Sequence, residues 1–177
     1  MYEKKLQIPY YKHGNWKLDA ERLDSIEQRV KVDENYKPNE RLYTTFYNGF
    51  EDNALQSFYG NLGNQIAKEQ AFFSNSFYSC IYWFQVYNKD AIHPRHTHFE
   101  VGENCILSFV HFLRVPSTPC FRFTDGRNHL VPPEQKEGDV IVYPSHVCHE
   151  VISHQEDDFN RIVAAGNINL ISHNNAI

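Results

Sequence analysis

The sequence predicts a mainly β domain with flanking helices, an α+β fold. Two observations carry this: helical periodicity confined to the first part of the chain, and aromatic and β-branched runs broken by Pro, Gly, Asn and Asp from about residue 77 onward. With 177 residues the chain is long enough for one domain with a sizeable core, so a single domain is expected. Its support region would span about residues 1–76 and its β core about 77–172.

Each element follows from its own pattern. Leu23, Ile26 and Val30 recur at helical spacing between Asp19 and Val30, with charged residues between them. Leu55, Phe58, Tyr59, Leu62 and Ile66 repeat the pattern between Asp52 and Gln70, interrupted by Gly60 and Gly63. "RLYTTFYN" between the helices reads as a strand. The later candidates are "YSCIYWFQVYN", "CILSFVHFLRV", "CFRFTD", "GDVIVYP", "HEVIS" and "NRIVAAGNINL". Without helices between them, they suit an antiparallel sandwich or barrel, with the front helices packed on one sheet's outer face.

Composition narrows the function. A net charge of -5 with interspersed signs offers no basic surface for bulk nucleic-acid binding. The N-terminus lacks the apolar stretch of a secretory signal and no run approaches a membrane span, so a cytoplasmic location is expected. Four scattered cysteines fit reduced thiols, Cys105 and Cys148 as small buried hydrophobes rather than nucleophiles.

The chemistry concentrates in "HPRHTHFE", residues 93 to 100. In a regular strand, residues two apart share a face, so His96, His98 and Glu100 would project together and His93 and Arg95 would not join them. Imidazole nitrogens and a carboxylate suit a borderline divalent ion. A third ligand must come from elsewhere, and "GDVIVYPSHVCHEV" offers His149 at the start of a strand. Gly138 and Asp139 make the turn into the preceding strand, Pro144 ends it, and His146 falls on the connection. His111, His129 and His154 read as exposed or hydrogen-bonded structural histidines.

Order and spacing together add a resemblance. "YWFQVY", "HTH", "SFVHFLRVP", "GDVIVYPS", "HEV" and "NRIVAAGN", from Trp83 to Asn169, resemble the prolyl-hydroxylase-like iron(II)- and 2-oxoglutarate-dependent oxygenases of bacteria and phages. The resemblance implies a double-stranded β-helix core, a cupin-like jelly roll, and Fe(II) held by His96, His98 and His149. Arg161 would bind the far carboxylate of 2-oxoglutarate through its planar fork. It also implies hydroxylation of a C–H bond with O2, giving succinate and carbon dioxide, on a peptide (prolyl by analogy) or a small molecule. A phage-encoded member would act in the host cytoplasm.

The chain departs from the family pattern in three places. "FEVGENCI" lengthens the segment after His98, Val163 replaces a hydroxyl residue common there, and a carboxylate ligand could enter as Glu100 in the set His98, Glu100 and His149. Two other readings stay open. A cupin of different activity would use His96, His98, Glu103 and His149, though His146 replaces that pattern's glycine. A non-catalytic binding module would bind no iron stoichiometrically. Trp83, Tyr87, Phe109 and Phe112 are candidates to line the cavity, with core packing as their simpler role.

Overall fold

A computed structural model of the chain describes residues 7–70, 77–99 and 104–171. Asp19 caps helix α1 (Ala20–Val30), its carboxylate accepting from Arg22 N–H at 2.8 Å. Asp52 does the same for helix α2 (Asn53–Gln70), accepting from the N–H groups of Ala54 and Leu55, each at 3.1 Å. Both helices bury the faces that their periodicity marks: Leu23, Ile26 and Val30 in α1, and Leu55, Tyr59, Leu62 and Ile66 in α2.

Eleven strands form two antiparallel sheets among the described residues. The larger runs in the order β1 (Tyr11–Asn15), β9 (Asp139–Pro144), β6 (Cys105–Arg114), β11 (Arg161–Ile171), β4 (Phe77–Tyr87), β3 (Leu42–Thr44) and β2 (Tyr36–Lys37). The smaller runs β5 (His93–His96), β10 (His149–Val151), β7 (Phe121–Thr124) and β8 (His129–Leu130). From β4 onward the chain passes between the sheets with each strand or hairpin, which is the winding of a double-stranded β-helix.

The larger sheet is covered on both faces, and its central strands are accordingly buried almost without alternation. The helices pack on one face, where Ile162, Ala164 and Ile168 of β11 meet Tyr59 and Ile66. The smaller sheet packs on the other, where Val110, Phe112 and Val163 meet Phe121 and Phe123. Gly166 allows the strands to close up: a Cβ there would collide with the Phe109 ring and, at 2.7 Å, with the Ile81 carbonyl. Arg114 ties α1 to β6 through Glu27 at 2.5 Å and Asp24 at 2.6 Å.

The helices and the six later strands lie where periodicity places them. The strand expected over residues 41–48 is shorter, ending at Thr44. Local hydrogen bonds take over there: Thr44 Oγ1 accepts from Phe46 N–H at 3.2 Å, and Gly49, at φ 72°, donates to the Thr45 carbonyl at 2.8 Å. Gly138, at φ 86°, makes the expected turn into β9. No helix among the described residues is long and apolar enough to cross a membrane.

Candidate metal and cosubstrate site

The site forms where one face of the larger sheet meets the end of the smaller one. Along β11, Arg161, Val163, Ala165 and Asn167 share a face by the two-residue period of a strand. Their partners on β4 are Tyr87, Gln85, Trp83 and Ile81, and Ser108 on β6 lies opposite Asn167. Small side chains at 163 and 165 leave room between the two polar ends. A cavity with about 330 Å³ of empty space opens there, lined by Arg161 and Tyr87 at one end and by His96, His98 and His149 at the other.

His96 and His149 are direct partners across β5 and β10, and their ring centroids lie 4.3 Å apart. His98 reaches the same place by another route. β5 ends at His96, and the His98 main chain is held by its N–H donating to the Ser145 carbonyl at 2.9 Å. The shared face of His96 and His98 therefore comes from a turn pinned to the end of β9, not from strand alternation. One ring nitrogen from each of the three histidines lies within 4.8 Å of the others, a spacing that could hold one metal ion.

Each imidazole has its Nδ1 occupied by an oxygen. His96 donates to the Pro94 carbonyl at 2.7 Å, His149 to the Val147 carbonyl at 3.1 Å, and His98 to Asn167 Oδ1 at 2.6 Å. Ser108 Oγ stands 2.9 Å from His98 Nδ1 and donates to the same Asn167 oxygen at 3.0 Å. Protonation at Nδ1 leaves each Nε2 unprotonated, the form a metal ligand requires, and that of His149 lies 3.3 Å from the Tyr143 hydroxyl, which a bound ion would displace as a partner. Burial also disfavours the charged rings: His98 is pushed down to about 4, His149 well below its ordinary value, and His96 lowered despite its bond to Pro94.

At the other end, Arg161 is 2% exposed and makes no ion pair among the described residues. Its guanidinium lies over the Tyr87 ring, 4.6 Å from the centroid, and both Nη atoms lack a hydrogen-bond partner. Asp157, a possible surface partner, pairs instead with Lys89 at 2.5 Å. A buried cation with an unused donor fork is costly unless an anion completes it, and the fork suits a carboxylate.

His93 corrects an expectation, because it also faces the cavity. Between its two pairings with β10, β5 advances three residues while β10 advances two, a bulge that turns His93 and His96 to one side. Their rings stack at 4.1 Å and 20°. His93 Nδ1 accepts from Gln85 Nε2 at 3.2 Å, and burial, reinforced by the neighbouring histidines and Arg161, pushes its pKa down to about 3. Regular alternation hid this placement; Pro94, which lacks a ladder donor, is the sequence signal for an irregular strand.

The other candidates divide. Trp83 and Tyr87 line the cavity, whereas Phe109 points to the helices and Phe112 lies in the core between the sheets. His146 is exposed on the connection before β10. His111 is structural, between Tyr59 Oη at 3.1 Å and the Trp16 carbonyl at 2.7 Å, and His129 lies 3.5 Å from Glu150. His154 is buried with neither ring nitrogen hydrogen-bonded, unlike the expected exposed or bonded histidine. The carboxylates Glu100 and Glu103 lie outside the described residues.

No family model and no curated protein matches the sequence. Solved structures do match. A Pseudomonas putida prolyl-4-hydroxylase aligns with a TM-score of 0.65 and 18% identity over 92% of each chain. An oxidoreductase of the 2OG-Fe(II) oxygenase family from Burkholderia pseudomallei aligns at 0.54 and 19%, covering 86% of this chain and 79% of that one. HygX from Streptomyces hygroscopicus, solved with nickel, 2-oxoglutarate and hygromycin B bound, aligns at 0.60 and 11% over 92% and 83%. The chain shares the fold of these oxygenases.

Proposed function

We propose that this chain is an Fe(II)- and 2-oxoglutarate-dependent dioxygenase that hydroxylates a C–H bond of a peptide, prolyl residues included, or of a small molecule. His96, His98 and His149 would hold the metal, and Arg161 the far carboxylate of the cosubstrate. The observation that carries the reading is the pairing of three Nδ1-capped imidazoles with a buried, unpaired guanidinium across one cavity.

The residues present fit the groups they would hold. Three neutral nitrogen donors leave coordination positions open for a bidentate 2-oxo acid and dioxygen. When bound, Fe(II) would supply the oxygen activation that the polypeptide lacks, with 2-oxoglutarate converted to succinate and carbon dioxide.

The chain's own work is placement. Asn167 and Ser108 keep the His98 proton on Nδ1, and the carbonyls of Pro94 and Val147 do so for His96 and His149. Arg161 would hold the far carboxylate of the dianion through its two unpartnered Nη atoms. Val110, Phe121 and Val163 exclude water from the cavity, and low polarity strengthens each charge interaction in it.

Succinate tests the reading. Purified protein given Fe(II), 2-oxoglutarate and air should release succinate above the protein-free rate, and His149→Ala should abolish the increment. Equal release by wild type and variant would refute the assignment. HygX, with hygromycin B bound, and a Trichoplax adhaerens prolyl hydroxylase in complex with a peptide fragment of hypoxia inducible factor support testing both substrate classes.

A further inference from the structure

A second opening, with about 800 Å³ of empty space, adjoins the first and shares His93, His96 and His98 with it. Its outer wall comes from the N-terminal hairpin, since β2 and β3 extend the larger sheet beside β4. The turn of that hairpin carries Glu40. Its main chain is fixed at both ends of the residue: the carbonyl accepts from Ile92 N–H at 2.9 Å, and the N–H donates to the Lys37 carbonyl at 3.2 Å.

The Glu40 carboxylate has little to hold it. Among the described residues its nearest cationic or N–H partner is His93 Nε2, at 3.7 Å, beyond hydrogen-bond range. Burial raises its pKa, opposed by the Lys37 ammonium. The Glu40 side chain is 29% exposed, so water serves as its donor, and a ligand's ammonium can take that water's place. The walls around it are aromatic. Phe46 stands edge-on to Tyr47 and to Trp83, each at 4.9 Å, and all three rings line the groove. Tyr47 is 71% exposed and already bears a cation, Lys37 Nζ at 4.0 Å from its centroid.

Aromatic walls and a carboxylate with no protein hydrogen-bond donor among the described residues together favour one ligand class. We infer that this groove binds a protonated amine, received by Glu40 among the rings of Phe46, Tyr47 and Trp83. Where the oxygenase reading holds, on which the word substrate rests, the amine belongs to the substrate and places its target carbon toward His96 and His98. Lys37, at the same wall, repels that amine and sets an upper limit on its affinity.

Matched probes test this without turnover. The protein labelled with nitrogen-15 is titrated with benzylammonium and with benzyl alcohol, its uncharged counterpart, following the Trp83 indole N–H identified by its loss in Trp83→Phe. Titrations are run anaerobically, with and without Fe(II) and 2-oxoglutarate. Benzylammonium should bind about tenfold more tightly than the alcohol or better, as a charge-assisted contact implies. Glu40→Gln, which keeps the size and removes the charge, should erase the preference, and Lys37→Gln should enlarge it. Equal affinity for the two probes, no saturable shift with either, or a preference that survives in a folded Glu40→Gln would overturn the inference. An amine preference in a protein that binds neither Fe(II) nor 2-oxoglutarate would uphold the groove and defeat the oxygenase reading; the reverse result would do the opposite.

Discussion

Asn167 Oδ1 accepts the Nδ1 proton of His98 at 2.6 Å, although 69 residues separate the two along the chain. The amide stands on β11 and the imidazole just beyond β5, so this contact joins the two sheets at the candidate metal centre. Asn167→Ala should weaken metal binding by roughly 10- to 100-fold, the usual effect of losing a ligand's hydrogen-bond partner. Ser108→Ala, which leaves the Asn167 acceptor in place, should cost less. Chelator competition with Ni(II) measures both, and equal affinities in wild type and Asn167→Ala would refute the role.

Arg161 is a liability to the fold unless something binds it. Replacing a buried unpaired charge by an apolar side chain of similar length is often neutral or stabilising. Arg161→Met should therefore melt at the same temperature as wild type or higher when no 2-oxoglutarate is present. The same variant should lose the thermal stabilisation that the cosubstrate gives the wild-type Fe(II) protein. A retained 2-oxoglutarate shift in Arg161→Met would contradict the assignment.

Acid should destabilise the protein through its buried imidazoles. His93 is pushed down to about 3, and His98 and His111 to about 4, in each case chiefly by burial. In the unfolded chain each titrates near ~6.5, so between those values the unfolded state binds more protons and stability rises with pH. Stability should be fully kept above about pH 6.5 and fall progressively toward pH 4. Melting curves at stepped pH check the sign, and His93→Phe should flatten the slope. Metal affinity should decline in the same direction, because protons compete with the ion for imidazole nitrogen.

Gly166 sits where no side chain fits. Gly166→Ala should lower stability by about 1–3 kcal/mol, since a methyl group there overpacks the Phe109 ring and the Ile81 carbonyl. Urea unfolding measures it. An unchanged midpoint would show that the strands can part at no cost.

The range of the interaction that decides each residue sets how legible it is in the sequence. Leu23, Ile26 and Val30 declare α1 because helical burial repeats within the segment itself, and Val163 and Ala165 mark β11 for the same local reason. His98, His149 and Arg161 were readable as a set from motif order and spacing. His93 was not, because a bulge set by pairing with β10 turned its ring inward. Strands β2 and β8, of two residues each, carry too short a pattern to register, and they exist through their neighbours. Glu40 gives no signal in sequence, since a turn glutamate is ordinarily solvated and only the hairpin's position against β4 brings it to the groove.

His98, His149 and Arg161 should serve one metal–cosubstrate complex. Anaerobic titration of the protein with Fe(II) and 2-oxoglutarate, followed by visible absorption, reads that complex. The wild type should develop a metal-to-ligand band saturating at one equivalent of iron. His98→Ala and His149→Ala should lack the band, and Arg161→Met should need far more 2-oxoglutarate to reach it. A wild-type protein with no band, or either histidine variant with the band at full intensity, would contradict the account.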